Sequence, residues 1–206
     1  MREKINVAAV LFEGFELLDF YGPLEMFGLA DEFFVVYQVA EKMGPVRSSA
    51  GVCGYAEYAL ADERRYDLIL VPGGAGTRQQ ASNPALLEWL RRQAHSARIL
   101  ASVCTGAGVL AAAGLLDGYR ATTNKQSFAW PMSQGLETEW VKQARWVEDR
   151  NRYTSAGISA GMDMALRLIE VLVDAETAER VANEAEYEWN RSPSHDPFAG
   201  RFGLVW

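Results

Sequence analysis

Cys104 stands where a short apolar run, RILASV (98–103), meets a glycine-punctuated one, TGAGVLAAAGLL (105–116). A cysteine there can be one more small buried side chain, since free cysteine is among the most buried residue types. It can equally be a nucleophile on a sharp strand-to-helix turn, facing the crevice at the end of a sheet. Backbone N–H groups and the dipole at a helix N-terminus lower a thiol pKa, and they stabilise charge developing on a substrate. Position alone leaves both readings open. A second strand end, VPGGAG (71–76), turns abruptly at Gly73 and Gly74.

Other residues carry less. Cys53, in SAGVCGY, has no strand-to-helix context and reads as structural. His95 lies on the amphipathic stretch LLEWLRRQAHSA and His195 in the loop-like tail NRSPSHDPFAG, and both read as solvated or structural. No His, Cys and Asp cluster has metal-ligand spacing. GGAG lacks the Gly-Lys-Ser/Thr ending of a phosphate-binding loop. The aromatics of FAWPM (128–132) and EYEWN (186–190) read first as core, and otherwise as the lining of an apolar pocket.

These residues need a scaffold, and the pattern along the chain supplies one. INVAAVLF (5–12), FFVVYQVAE (33–41), YDLILV (66–71) and RILASV are near-continuous apolar runs of strand length, as expected for strands buried on both faces. Between them, spacing turns helical. EGFELLDFYGPLEMFGLADE (13–32) is one such segment, interrupted at Gly22-Pro23, with Pro23 suited to the first turn of a helix. Asn83 and Pro84 fit an N-cap and first helical position, and Asp174 fits the N-cap of AETAERVANEAEYEW. Segment 44–60 is rich in strand and turn residues, YRATT (119–123) fits a short strand, and KQSFAWPMSQ a helix cut short near Pro131. Residues 139–157 read as a hairpin bent at EDRN, before a strong helix over 159–173. Strands alternating with helices predict an α/β fold: an open, mostly parallel sheet with helices on both faces. No repeat or linker divides residues 1–206, so one domain is expected.

Composition narrows the partners. Twenty Lys and Arg against 27 Asp and Glu give a formal charge of −7, which argues against nucleic acid or an anionic membrane surface. A small-molecule substrate of any charge remains open. No apolar run has the length of a membrane span, and two cysteines make no disulfide framework, so a reducing cytoplasm is the expected compartment.

The stretches AVLFEGFELLDFYGPLEMF, YDLILVPGGAG, SVCTGAGVLAAAGLLDGYRATT and SAGISAGMDMAL together resemble the ThiJ/PfpI family of the class I glutamine-amidotransferase-like superfamily, over about residues 5–185. The resemblance implies a flavodoxin-like sheet, a homodimer and no obligatory cofactor, with Cys104 as the elbow nucleophile. It makes Asp19 the acidic residue beside the cysteine and Thr105 the threonine after it. The N–H groups of Gly74 and Thr105 would line an oxyanion site. Within the family, LLDFYGP and SVCTGA look closest to isonitrile hydratases. The peptidase-like branch carries His where this chain has Thr105, and many relatives carry His after ATT, where it has Asn124. Without a neighbouring imidazole, proton transfer falls to Asp19.

The function expected is therefore cysteine-dependent hydration of an isonitrile to an N-substituted formamide. Glyoxalase-like or amidase-like chemistry, and a non-catalytic redox-sensing or ligand-binding module, are the alternatives. Within residues 186–206 no DNA-binding extension of the kind some relatives carry is expected.

Overall fold

In the computed structural model, which describes residues 3–205, a seven-stranded sheet forms the centre of the fold, with strand order β10-β11-β7-β6-β1-β2-β5. The strands are β1 (Ile5–Val10), β2 (Phe34–Ala40), β5 (Tyr58–Ala59), β6 (Leu68–Val71), β7 (Ile99–Val103), β10 (Trp146–Asp149) and β11 (Arg152–Ser155). All neighbours pair in parallel except β10 and β11, which form the expected hairpin. The segment 44–60 supplies a separate antiparallel hairpin, β3 (Gly44–Arg47) with β4 (Cys53–Ala56). Two short parallel strands, β8 (Arg120–Ala121) and β9 (Glu139–Trp140), form a small second pair.

The central strands are apolar on both sides because both faces are covered. Leu68 and Leu70 of β6 pack with Ile99, Ala101 and Val103 of β7 in one core, which includes Met26 and Phe27 of α1 (Leu17–Gly28) and Leu168 and Ile169 of α6 (Ala160–Leu172). Val181, on α7 (Ala175–Glu184), completes it. Ile69, Val71 and Leu100 face the opposite core, with Leu86 and Leu90 of α3 (Pro84–Ala94) and Val109 and Leu110 of α4 (Gly106–Ala112). Three short helices remain: α2 (Thr77–Gln80), α5 (Ala129–Gln134) and α8 (Phe198–Arg201). The Asn83 side chain accepts from Ala85 N, and that of Asp174 from Thr177 N, as their N-cap positions require.

Three local expectations need correction. Pro23 neither interrupts α1 nor opens it, but sits inside it. A mid-helix proline costs about 3 kcal/mol, and tertiary packing offsets that here. Gly22 lies against the Met162 side chain and Gly161 against Pro23 and Val103, so α1 and α6 approach closely where the proline falls. Pro131 does not cut a helix short but lies in the first turn of α5, where its missing N–H has no partner to lose. The tail is not wholly loop, since it ends in α8.

Candidate active site

The ends of three neighbouring strands, β6, β7 and β11, converge on one residue. Cys104 follows β7 directly and holds φ +56, a left-handed conformation that a side chain makes costly by about 1–3 kcal/mol. The turn is fixed from both sides. Cys104 N–H reaches the carbonyls of Ser155 and Ala156, at 3.1 and 3.3 Å, and Thr123 Oγ1 donates to Cys104 O at 2.7 Å. Gly106 completes the elbow, since a Cβ there would lie 2.2 Å from the Val71 carbonyl oxygen. The expected strand-to-helix turn is present, and the cysteine is buried.

Asp19 reaches this elbow from the first turn of α1. It is fully buried, and its Oδ2 accepts the Gly73 N–H at 2.9 Å. Gly73 is glycine for lack of room: a Cβ there would stand 2.6 Å from Thr105 N, 2.7 Å from Asp19 Oδ2 and 2.8 Å from Cys104 Cβ. Oδ1 has no N–H or O–H donor, and the Cys104 thiol is the other polar group acting on the carboxyl. Burial raises the Asp19 pKa to about 8, the Gly73 bond opposes the rise, Glu16 adds to it and the thiol opposes it more weakly. Asp19 is therefore mostly a neutral acid at pH 7.

The thiol departs from expectation. Burial pushes its pKa up, and the Asp19 carboxylate pushes the same way. The Thr105 N–H and hydroxyl pull it down without winning. A helix N-terminus was expected to give a low-pKa thiol, but α4 starts only at Gly106 and the sulfur is almost without solvent. Desolvation of a thiolate outweighs a few backbone dipoles. Burial disfavours charge on either group, and a charge on one disfavours a charge on the other.

Thr105 and Gly74 do come together, though not as two free donors. Gly74 N–H donates to Thr105 Oγ1 at 3.1 Å, and Thr77 Oγ1 lies 3.2 Å from the same oxygen. Gly74 holds φ +121, with Gly14 O 2.3 Å from where a Cβ would stand, so only glycine fits. Thr77 also donates to Gly74 O at 2.7 Å. Sequence reasoning missed Thr77, although its place just after the glycine turn was visible.

Asn124 lies on the other side of the thiol. Its Oδ1 accepts the Ser127 N–H at 2.9 Å. A Cβ on Gly157 would lie 2.3 Å from Asn124 Nδ2 and 2.9 Å from Cys104 Sγ, so amide and sulfur border the same small space. The next residue, Lys125, was also missed. It is buried and hydrogen-bonded to Thr122 Oγ1, Thr123 O and Ala144 O, and it forms an ion pair with Asp196 at 3.1 Å. Burial lowers its pKa, against the pull of Asp196.

The remaining candidates lie outside this cluster. His95 and His195 are exposed. Cys53 is exposed too, on β4, away from the elbow. Tyr187 and Trp189 serve as anchors, donating to Asp163 Oδ1 at 3.0 Å and Asp163 O at 3.2 Å. Trp130 packs against Gly108, and the Arg78 guanidinium lies 4.3 Å from its ring centroid. Among the described residues no helix is long and apolar enough to cross a membrane, and no cluster of His, Cys, Asp or Glu is placed to hold a metal ion.

A buried cysteine on a left-handed strand–helix turn, faced by a buried carboxyl group at the end of a parallel sheet, defines a cysteine-elbow α/β protein of flavodoxin-like fold. The DJ-1/PfpI family model matches residues 5–171, and the chain belongs to that family. It is 37% identical over 185 residues to an isonitrile hydratase of Pseudomonas putida, covering 89% of this chain and 78% of that one. It is 30% identical over 176 residues to the Parkinson disease protein 7 homolog of Danio rerio, covering 84% and 92% respectively. A ThiJ/PfpI family protein from Pseudomonas syringae superposes with a TM-score of 0.79 at 32% identity, over 91% of this chain and 77% of that one.

Proposed function

We propose that the protein is a cofactor-free hydratase that converts isonitriles to N-substituted formamides, with Cys104 as nucleophile and Asp19 as proton carrier. The observation that carries this reading is the buried Asp19 carboxyl set at the Cys104 elbow, with Gly73 against both side chains. A thiol and a buried acid side by side suit a substrate whose attacked carbon itself takes up a proton, and the terminal carbon of an isonitrile is such an atom. The sulfur bonds to that carbon, the thiol proton passes to Asp19, and the proton of Asp19 passes to the carbon. A thioimidate, R–N=CH–S–Cys104, results, and no net charge develops. Water then adds to the thioimidate carbon, giving one proton to Asp19 as the Asp19 proton passes to the nitrogen. Collapse breaks the C–S bond, returns a proton to sulfur and releases R–NH–CHO. Thr105 supports the sulfur through its N–H and keeps the Gly74 turn in register through its hydroxyl.

The similarity to the isonitrile hydratase supports the substrate class. The whole chain would act as one domain in the cytoplasm, as a homodimer formed through α1 and the β3–β4 hairpin. There Leu18, Tyr21, Val52 and Tyr55 expose apolar surface, and the Tyr21 hydroxyl packs beside Gly54.

The test is incubation with an aryl isonitrile and, separately, with methylglyoxal, with each product followed by chromatography. Formamide production lost in Cys104→Ala, with kcat/KM declining above about pH 8 as Asp19 gives up its proton, is the expected result. Turnover of methylglyoxal alone would move the assignment to glyoxalase-like chemistry. Turnover of neither, with ready peroxide oxidation of Cys104, would make the site a redox sensor.

A further inference from the structure

We infer that Asn124 is a catalytic hydrogen-bond donor, which orients the substrate on the side of Cys104 opposite to Asp19. Cys104 ends the middle one of three adjacent strands, and the two strands beside it end in Gly73 and Gly157. Gly73 admits the Asp19 carboxyl to the elbow, and Gly157 leaves open the space shared by Asn124 Nδ2 and Cys104 Sγ. The thiol is thus flanked by an acid from one neighbouring strand end and an amide at the other.

The orientation of that amide is determined. Oδ1 is held by the Ser127 N–H at 2.9 Å, which turns Nδ2 toward Gly157 and the sulfur. The Ser127 bond to Oδ1 is the side-chain hydrogen bond seen for Asn124 among the described residues, and the half-buried residue leaves Nδ2 open to the space beside the thiol. Its backbone is clamped on both sides, through Thr123 Oγ1 to Cys104 O and through Lys125 to Asp196 and three oxygen acceptors. A rigidly held donor facing open space beside a nucleophile is built for an acceptor that arrives with the substrate.

An amide does not exchange protons at neutral pH, so Asn124 leaves proton traffic to Asp19. It suits a lone pair one bond from the attacked carbon. On the hydratase reading, that atom is the nitrogen of the thioimidate, whose lone pair appears as the C–S bond forms. The substrate identity rests on that reading, whereas the placing of the donor at the thiol does not.

The experiment compares Asn124→Ala and Asn124→Asp. Aspartate keeps the Ser127 bond but replaces the donor with an acceptor and adds negative charge beside the thiol. Alanine removes both interactions. The expected kcat for isonitrile hydration falls roughly 100-fold in Asn124→Ala with little change in KM, and further in Asn124→Asp. Cys104 alkylation by iodoacetamide at fixed alkaline pH is read on the same variants, and it should also be slowest in Asn124→Asp. A merely structural amide gives the reverse order, because aspartate preserves the local bond that alanine loses, and that order overturns the inference. So does wild-type kcat in both variants of an active hydratase. If the wild type hydrates no isonitrile, the hydratase reading fails by itself, and the order of alkylation rates alone decides the role of Asn124.

Discussion

Asp19 Oδ2 and the Gly73 amide are joined at 2.9 Å, a single hydrogen bond that ties the first turn of α1 to the end of β6 in a space closed to bulk solvent. One N–H does not offset the burial of a carboxylate, so the folded protein holds the Asp19 proton far more tightly than the unfolded chain does. The pKa rises from 3.8 to about 8, and the stabilisation from this group is complete below pH 3.8 and lost progressively as pH climbs toward 8. Asp19→Asn removes that dependence. The variant should be more stable than wild type by roughly 2–4 kcal/mol at pH 7, with the advantage shrinking as pH approaches 4. Isonitrile turnover should fall on the order of 100-fold or more. Urea titrations at both pH values check the first part, and a gain of the same size at each would contradict the burial argument.

The two cysteines should differ in what protects them. Cys53 is exposed in the single chain, on the same face of β4 as Tyr55, so the proposed dimer should slow its reaction with iodoacetamide and separation of the subunits should restore it. Cys104, buried and with its pKa pushed up, should react slowly at pH 7 and faster as pH rises. Mass spectrometry of each peptide over a pH series is the measurement. Rapid labelling of Cys104 at pH 6 would show that the thiolate exists at rest, against a mechanism that starts from the thiol.

The buried Lys125–Asp196 pair gives a prediction about stability. Asp196→Asn leaves the ammonium group without its counter-charge while its three oxygen acceptors remain. Loss of one partner of a buried pair costs about 3–5 kcal/mol, and a drop of that order in denaturant midpoint is expected. Replacing both residues, as Lys125→Met with Asp196→Leu, should recover most of it, because neither charge is then stranded. A double variant no better than the single one would show that the polar contacts, rather than the charge, do the holding.

The apolar face of Leu18, Tyr21, Val52 and Tyr55 should be buried between two copies of the chain. Light scattering at micromolar concentration should give about twice the monomer mass of 22.8 kDa. Tyr55→Glu together with Leu18→Glu should return it to the monomer value. A monomeric wild type would leave the face without its proposed partner.

Much of this architecture is legible in the sequence because its signals are local. LILV and ILASV are apolar at every position since both faces of the sheet are covered, and Asn83 and Asp174 advertise their helices through the side chains that cap them. Cys104 could be singled out for the same reason, from the apolar run before it and the glycines after it. What was not legible depends on contacts distant in sequence. Pro23 looks like a helix breaker until Gly161 and Met162, far along the chain, pack against its turn. The thiol pKa follows from how deeply Asp19 and its neighbours enclose the sulfur, and no run of residues records that. Lys125 and Asp196 lie far apart in the chain, and only the folded tail brings them together.

That tail is made after everything it holds. Tyr187 and Asn190 N–H bind Asp163, Pro193 O binds Arg145 N, and Asp196 meets Lys125, all from a segment beyond residues 5–171. Lys125 therefore has its counter-charge only through residues that come last in the chain. A chain cut before Tyr187 would keep Cys104 and Asp19 yet lose the ties to Asp163, Arg145 and Lys125, so the strap secures the far side of the elbow from outside the matched family segment.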